Sequence, residues 1–247
     1  MRTEIVLTVS ESKRLIAKGV AALDWVQARL RQGIVVVSTG STNGYVYEEL
    51  TGQTIDKRAY LTGRTLPAKG APRWNMARIP DMVFVNGAPE PAMDRYNVLE
   101  RMQPGDVFIK GANALNYREG IAGVTIGSPT GGTLGALMGP LYGKKLRLLI
   151  PVGLEKEVPY DILEASALLA EPDERLGAVH ALWPVQGEIF TEIEAFHTLC
   201  GVEAAPVAAG GLAGAEGALR WLLIGEADDV RRAATLVESI QGEPPLQ

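Results

Sequence analysis

The chain has 247 residues, enough for one large domain or two small ones with a sizeable buried core. Hydrophobic residues make up 47% and charged residues 21%, an ordinary globular balance, and the net charge of −5 argues against nucleic acid as a partner. The single cysteine, Cys200, excludes an intrachain disulfide and any Cys-rich metal site. The start MRTEIVLTVSESK lacks a signal-type apolar run, and no uncharged stretch reaches membrane-spanning length. A cytoplasmic chain with no membrane partner is expected.

In chain order, residues 12–31 place Leu15, Val20, Leu23, Val26 and Leu30 at helical spacing, with Ser10 or Ser12 as cap and Gly33 past the end. Residues 34–38 do not alternate, which predicts a strand buried on both faces. A short helix begins over 46–50, a strand follows at 82–85, and a helix over 96–102 ends at Pro104-Gly105. Strands follow at 106–110 and 146–152. Strands alternating with helices predict an α/β fold, a mostly parallel Rossmann-like sheet with helices on both faces.

From about Leu176 the pattern changes to a strand at 179–185, a helix at 191–199, strands at 204–209 and 219–224, and a helix at 228–240. This β-α-β-β-α run predicts a C-terminal ferredoxin-like α+β module. The segment 170–175 is the boundary, giving a ligand-binding domain over 1–172 and the module over 173–247. A unit of about 70 residues has a marginal core of its own. It is expected to pack on the main domain or on a partner subunit, and a homo-oligomer is expected.

The stretch VVVSTGSTNGYVYEELTG, residues 35–52, carries the first functional signal. A buried strand stops at small polar residues and continues as a helix, which makes an anion site from unpartnered N–H groups and the helix dipole. Thr39, Ser41, Thr42 and Asn43 offer side-chain donors, and Gly40 and Gly44 permit close approach. Simple helix capping by the same residues is the alternative. The stretch lacks the lysine of a P-loop and the spacing of a dinucleotide fingerprint, so no cofactor is expected.

A second strand-to-loop stretch, VFIKGANALNYREGIAG at 107–123, sets Lys110 at a strand end and Arg118-Glu119 in an apparent helical turn. With the first stretch it resembles ribose-5-phosphate isomerase of the A type. That family orders a GTGST phosphate loop, a DGADE segment and a KGGGAALxREK segment. Here STGST is 38–42, NGAPE is 86–90, and the interval from Lys110 to Glu119 matches without a gap, followed by a fainter likeness in IPVGLEKEVP at 150–159.

The resemblance covers residues 30–160 and implies proton transfer between adjacent carbons, which needs a carboxylate base, oxyanion donors and a phosphate grip. It implies Glu119 as base and Lys110 as the cation near the reacting oxygens. The resemblance further implies Gly111 and Asn113 in the donor loop and Ser41, Thr42 and Asn43 as the phosphate grip, with Asn86 and Gly87 standing where DGADE falls. Asn86 and Pro89 replace both aspartates of that segment, and Ala112 and Asn113 replace two glycines.

Two classes of function follow. One is an enzyme acting on a phosphorylated or otherwise anionic small metabolite, within a superfamily that includes sugar-phosphate deaminases and CoA transferases. The other is a non-catalytic metabolite sensor or assembly protein that keeps the pocket. Residues 52–80 carry Lys57, Arg58, Arg64, Lys69, Arg73 and Arg78 against Asp56, a lid for an anion or a basic interface loop. IGSPTGGTLGALMG at 126–139 reads as a further Gly-rich pocket loop. His180 and His197 lack metal-ligand company, and no metal site is expected.

Overall fold

The computed structural model describes residues 1–63 and 65–246. The elements are β1 (Arg2–Leu7), α1 (Val9–Ala22), α2 (Asp24–Arg31), β2 (Ile34–Val37), α3 (Ser41–Thr51), β3 (Met82–Val85), β4 (Ala88–Pro89), β5 (Val107–Ile109), β6 (Ala114–Asn116) and β7 (Ile121–Ile126). They continue with α4 (Gly132–Gly143), β8 (Arg147–Pro151), α5 (Ile162–Ala170), β9 (Ala181–Val185), β10 (Glu188–Phe190), α6 (Glu192–Cys200), β11 (Glu203–Ala209), β12 (Leu219–Ile224) and α7 (Ala227–Ile240). Short 3₁₀ turns lie at Lys57–Tyr60, Val98–Glu100 and Leu154–Lys156.

The fold is mixed α/β. Its central sheet has the order β10-β8-β5-β2-β3-β4. The run from β10 to β2 is parallel, whereas β3 and β4 are antiparallel to their neighbours. The IVVV of β2 and VFI of β5 are fully enclosed, as expected for the middle of a sheet covered on both faces. Two further sheets, β1-β12-β11 and β6-β7-β9, are antiparallel throughout. The expectation of a mostly parallel sheet is therefore corrected to a mixed architecture in which β10-β8-β5-β2 is the parallel run among the named strands. Alternation and apolar runs identify strands but say nothing about which edge a strand finds.

Several local expectations shift for identifiable reasons. The first helix breaks at Leu23, whose extended backbone separates α1 from α2. Its cap is Thr8, not Ser10 or Ser12: Thr8 and Glu11 form a reciprocal capping box. Residues 96–102 form only a 3₁₀ turn at Val98–Glu100. In the tail, β9 pairs with β7, and β1 from the other end of the chain takes the place beside β12. β10 likewise joins β8 of the central sheet. The sheets thus interleave across the expected boundary at 172, because strand pairing satisfies open edges regardless of distance along the chain.

Candidate functional site

The carboxyl ends of β2, β5 and β8 lie side by side, and the chain leaves β2 through Ser38, Thr39 and Gly40 into α3. Ser38 N–H donates to Ile109 O at 3.0 Å, and Asn43 Nδ2 donates to Ser38 O at 2.7 Å and Ile109 O at 3.1 Å. These bonds fix the start of α3 against the end of β5. The first N–H groups of α3, those of Ser41, Thr42 and Asn43, have no acceptor within the helix. Gly40 N–H is engaged by Tyr60 O at 2.8 Å, and its backbone is extended, so its role is a tight junction rather than a donor.

In front of this helix end lies a cavity of about 380 Å³. Thr39 to Asn43 form one wall, and Lys110 with Gly111, Ala112 and Asn113 form another. Leu61, Thr62, Gly63, Thr65, Leu66 and Trp74 of the basic segment, with Leu246 near the C-terminus, complete the rim. Three lysines line it, Lys13, Lys110 and Lys156, and among the described residues no carboxylate does. Thr42 is 2% exposed, and its Oγ1 is enclosed without a hydrogen-bond partner among the described residues.

The cations differ in how they are held. Lys13 pairs with Glu155 at 3.5 Å. Lys156 Nζ donates to Ala112 O at 2.7 Å. Burial pulls the Lys156 ammonium below the usual lysine range and Lys13 adds to this, while Glu155 and Glu192 oppose it. Among the described residues, Lys110 Nζ donates to Gly111 O at 3.0 Å alone, and no carboxylate lies within ion-pair distance. Its burial, with repulsion from Lys156 and Arg95, brings it down to about 8, Asp81 partly countering.

A second cavity of about 310 Å³ shares Thr39, Thr62, Gly63, Lys110 and Asn113 with the first. Its far wall is the loop 127–132 and the N-terminus of α4, which places the expected Gly-rich stretch at the pocket. Arg95 sits at this end, bonded to Asp81 (2.5 Å), Thr133 Oγ1 (2.5 Å) and Thr39 Oγ1 (2.7 Å). Asp81 also accepts from Thr39 N–H at 2.8 Å. The Thr39 hydroxyl, which also meets the Thr62 hydroxyl, is thus part of the wall's own bonding.

The expected site residues divide accordingly. Thr39, Gly40, Ser41, Thr42, Asn43, Lys110, Gly111 and Asn113 all line the first cavity. Asn43 is fully enclosed with its Nδ2 bonded to Ser38 O, Ser38 Oγ and Ile109 O, and Asn113 Oδ1 accepts from Thr125 N–H at 3.0 Å, so both build the walls. Glu119 does not join them. It is exposed in the turn between β6 and β7, where its N–H donates to Asn116 Oδ1 at 3.1 Å. Asn86 and Gly87 are also elsewhere. They form the turn between β3 and β4, and because β3 is antiparallel to β2 this turn lies at the amino end of β2. There Asn86 N–H and Oδ1 bond the backbone of Gly33.

Sequence reasoning missed Asp81, Arg95, Lys13 and Lys156. The antiparallel insertion of β3 brings its amino end, and hence Asp81, to the cavity. Of the basic segment, Lys57 is bound to Glu48 and Arg58 to Asp56, Lys69, Arg73 and Arg78 are exposed, and Arg64 lies outside the described residues.

Among the described residues no group of three or more His, Cys, Asp or Glu side chains is arranged to hold a metal ion. No described helix is long and apolar enough to cross a membrane. Comparison of the chain with protein-family models, curated proteins and solved structures found no match to any of them.

Proposed function

We propose that this protein binds a small phosphorylated or otherwise anionic metabolite in the cavity before α3. The observation that carries the reading is the Thr42 hydroxyl, buried and without a partner among the described residues, at the start of a helix whose first N–H groups have no described acceptor, in a cavity lined by lysines and by no described carboxylate. A tetrahedral anion accepts from such amides and a hydroxyl together, and the lysines neutralise it. The resemblance of residues 38–42 and 110–119 to A-type ribose-5-phosphate isomerases favours a phosphorylated sugar or a related compound. With Glu119 in an exposed turn, the binding half of that expectation has more support than the carboxylate-base half.

Thermal-shift and calorimetric titration with inorganic phosphate, sugar phosphates and CoA esters tests this, because a ligand of the native state raises the melting temperature by mass action. Thr42→Val should weaken the best ligand by about 3- to 10-fold, the weight of about one hydrogen bond. Glu119→Gln should leave affinity unchanged. A protein that no phosphorylated compound stabilises would overturn the reading, as would a Thr42→Val variant with undiminished affinity.

A further inference from the structure

We propose that Lys110 is a nucleophile that forms an imine with the carbonyl group of a phosphorylated aldehyde or ketone held in this cavity. The inference rests on the anion-binding reading and adds a reaction to it. Lys110 lies where the two cavities meet, lining both. Its one recorded hydrogen bond is donated to Gly111 O, a contact that an amine keeps after losing a proton. A half-buried lysine normally has a carboxylate for company; here the nearby charges are chiefly Lys156 on the turn Leu154–Lys156 and Arg95 beyond β4. Asp81, the carboxylate on that side, is taken by Arg95 and by Thr39 N–H. Cations around a desolvated amine favour its neutral, nucleophilic form.

The location fits the bound anion. Phosphate at the α3 amides and Thr42 would leave the rest of a short metabolite pointing along the cavity towards Lys110. The neutral amine attacks the carbonyl carbon, forming the C–N bond as the C=O π pair moves onto oxygen, and the two N–H protons pass to that oxygen. Water then leaves as the nitrogen lone pair closes the C=N bond. Amine and carbonyl give imine and water, with no change of oxidation state. Burial and the cationic neighbours bring Lys110 to about 8, so near neutral pH a usable fraction is unprotonated.

Pyridoxal 5′-phosphate, a phosphorylated aldehyde, is a direct probe. The wild-type protein is incubated with it, reduced with borohydride and mapped by peptide mass spectrometry. One adduct per chain, on Lys110, is expected, suppressed by inorganic phosphate, with an initial rate that rises through a midpoint near pH 8. Lys110→Arg should lose it. Lys156→Gln removes one of the cations facing Lys110 while keeping a donor for Ala112 O, and should move the midpoint upward; a purely structural lysine would show no such shift. Labelling spread over exposed lysines such as Lys69, or none at Lys110, would overturn the inference. If phosphate still stabilises that protein, the anion reading stands without it. Labelling of Lys110 with no stabilisation by phosphate would instead keep the nucleophile and overturn the anion reading.

Discussion

Asn43 and Thr42 are neighbours on one helical turn, yet they do opposite work. Asn43 turns inward: Nδ2 holds Ser38 O and Ile109 O, and the side chain is wholly enclosed. Removing it takes the donor from Ser38 O at the junction of β2, β5 and α3, while Ile109 O keeps the bonds from Ser38 N–H and Oγ, and an unsatisfied buried polar group costs about 1–3 kcal/mol. Asn43→Ala should therefore lower stability by about that amount in urea denaturation. Thr42→Val, which leaves no protein partner behind, should hardly change the unliganded stability. Equal destabilisation by both would mean that Thr42 has a structural partner after all. The polar run 38–44 marks the site in the sequence, but not which of its side chains face the ligand, because that depends on where β5 ends.

At the scale of elements, most of the buried strands and the tail helices are readable in the sequence. β2, β5 and β8 are short apolar runs that burial makes obligatory, and α6, β11, β12 and α7 follow their periodicity closely. The two segments that misled lie in hairpins. NGAPE contains Asn-Gly between apolar runs, the signal for a two-residue turn with positive φ at both positions. The structure has Asn86 at φ 49° and Gly87 at φ 84°. That local chemistry outweighs the likeness to an acidic active-site segment and carries the stretch to the far end of the sheet. NYREG likewise becomes the β6–β7 turn, with Gly120 at φ 65°, and Glu119 goes with it.

Gly87→Val, forcing a β-branched residue into a left-handed turn position, should cost about 1–3 kcal/mol of stability. It should leave phosphate affinity untouched, since the turn is at the amino end of β2. Chemical denaturation and ligand titration on the same variant separate the two quantities. A loss of affinity larger than the loss of stability explains would return Gly87 to the site.

The whole molecule is tied together by strand exchange and by buried charge. β1 completes the sheet of β12 and β11, and β10 completes the sheet of β8, so neither end of the chain holds its sheet alone. Where α1, α6 and the turn Leu154–Lys156 meet, Glu192 is fully enclosed beside Glu155, with Lys13, Lys156 and Ser12 around them. Glu192 Oε2 accepts from Leu154 N–H at 3.0 Å, and Oε1 has no hydrogen-bond partner among the described residues. Burial and the neighbouring Glu155 raise Glu192 from 4.5 to about 7, against the bond from Leu154 N–H.

Between those two values the native state holds a proton that the unfolded state releases, so stability declines as pH rises through the window. The contribution is complete below about pH 4.5 and gone above about pH 7. Glu192→Gln keeps the acceptor for Leu154 N–H and offers Glu155 a donor without a charge. It should match the wild type near pH 5, where Glu192 is already protonated. At pH 8 it should be more stable by about 3–4 kcal/mol, since each unit of pKa displacement corresponds to about 1.4 kcal/mol. Urea midpoints measured for both proteins from pH 5 to pH 8 test this: a gap that opens with rising pH is the expected result. A gap that is constant, or that favours the wild type at pH 8, would show that Lys13 and Lys156 hold Glu192 ionised in the folded protein.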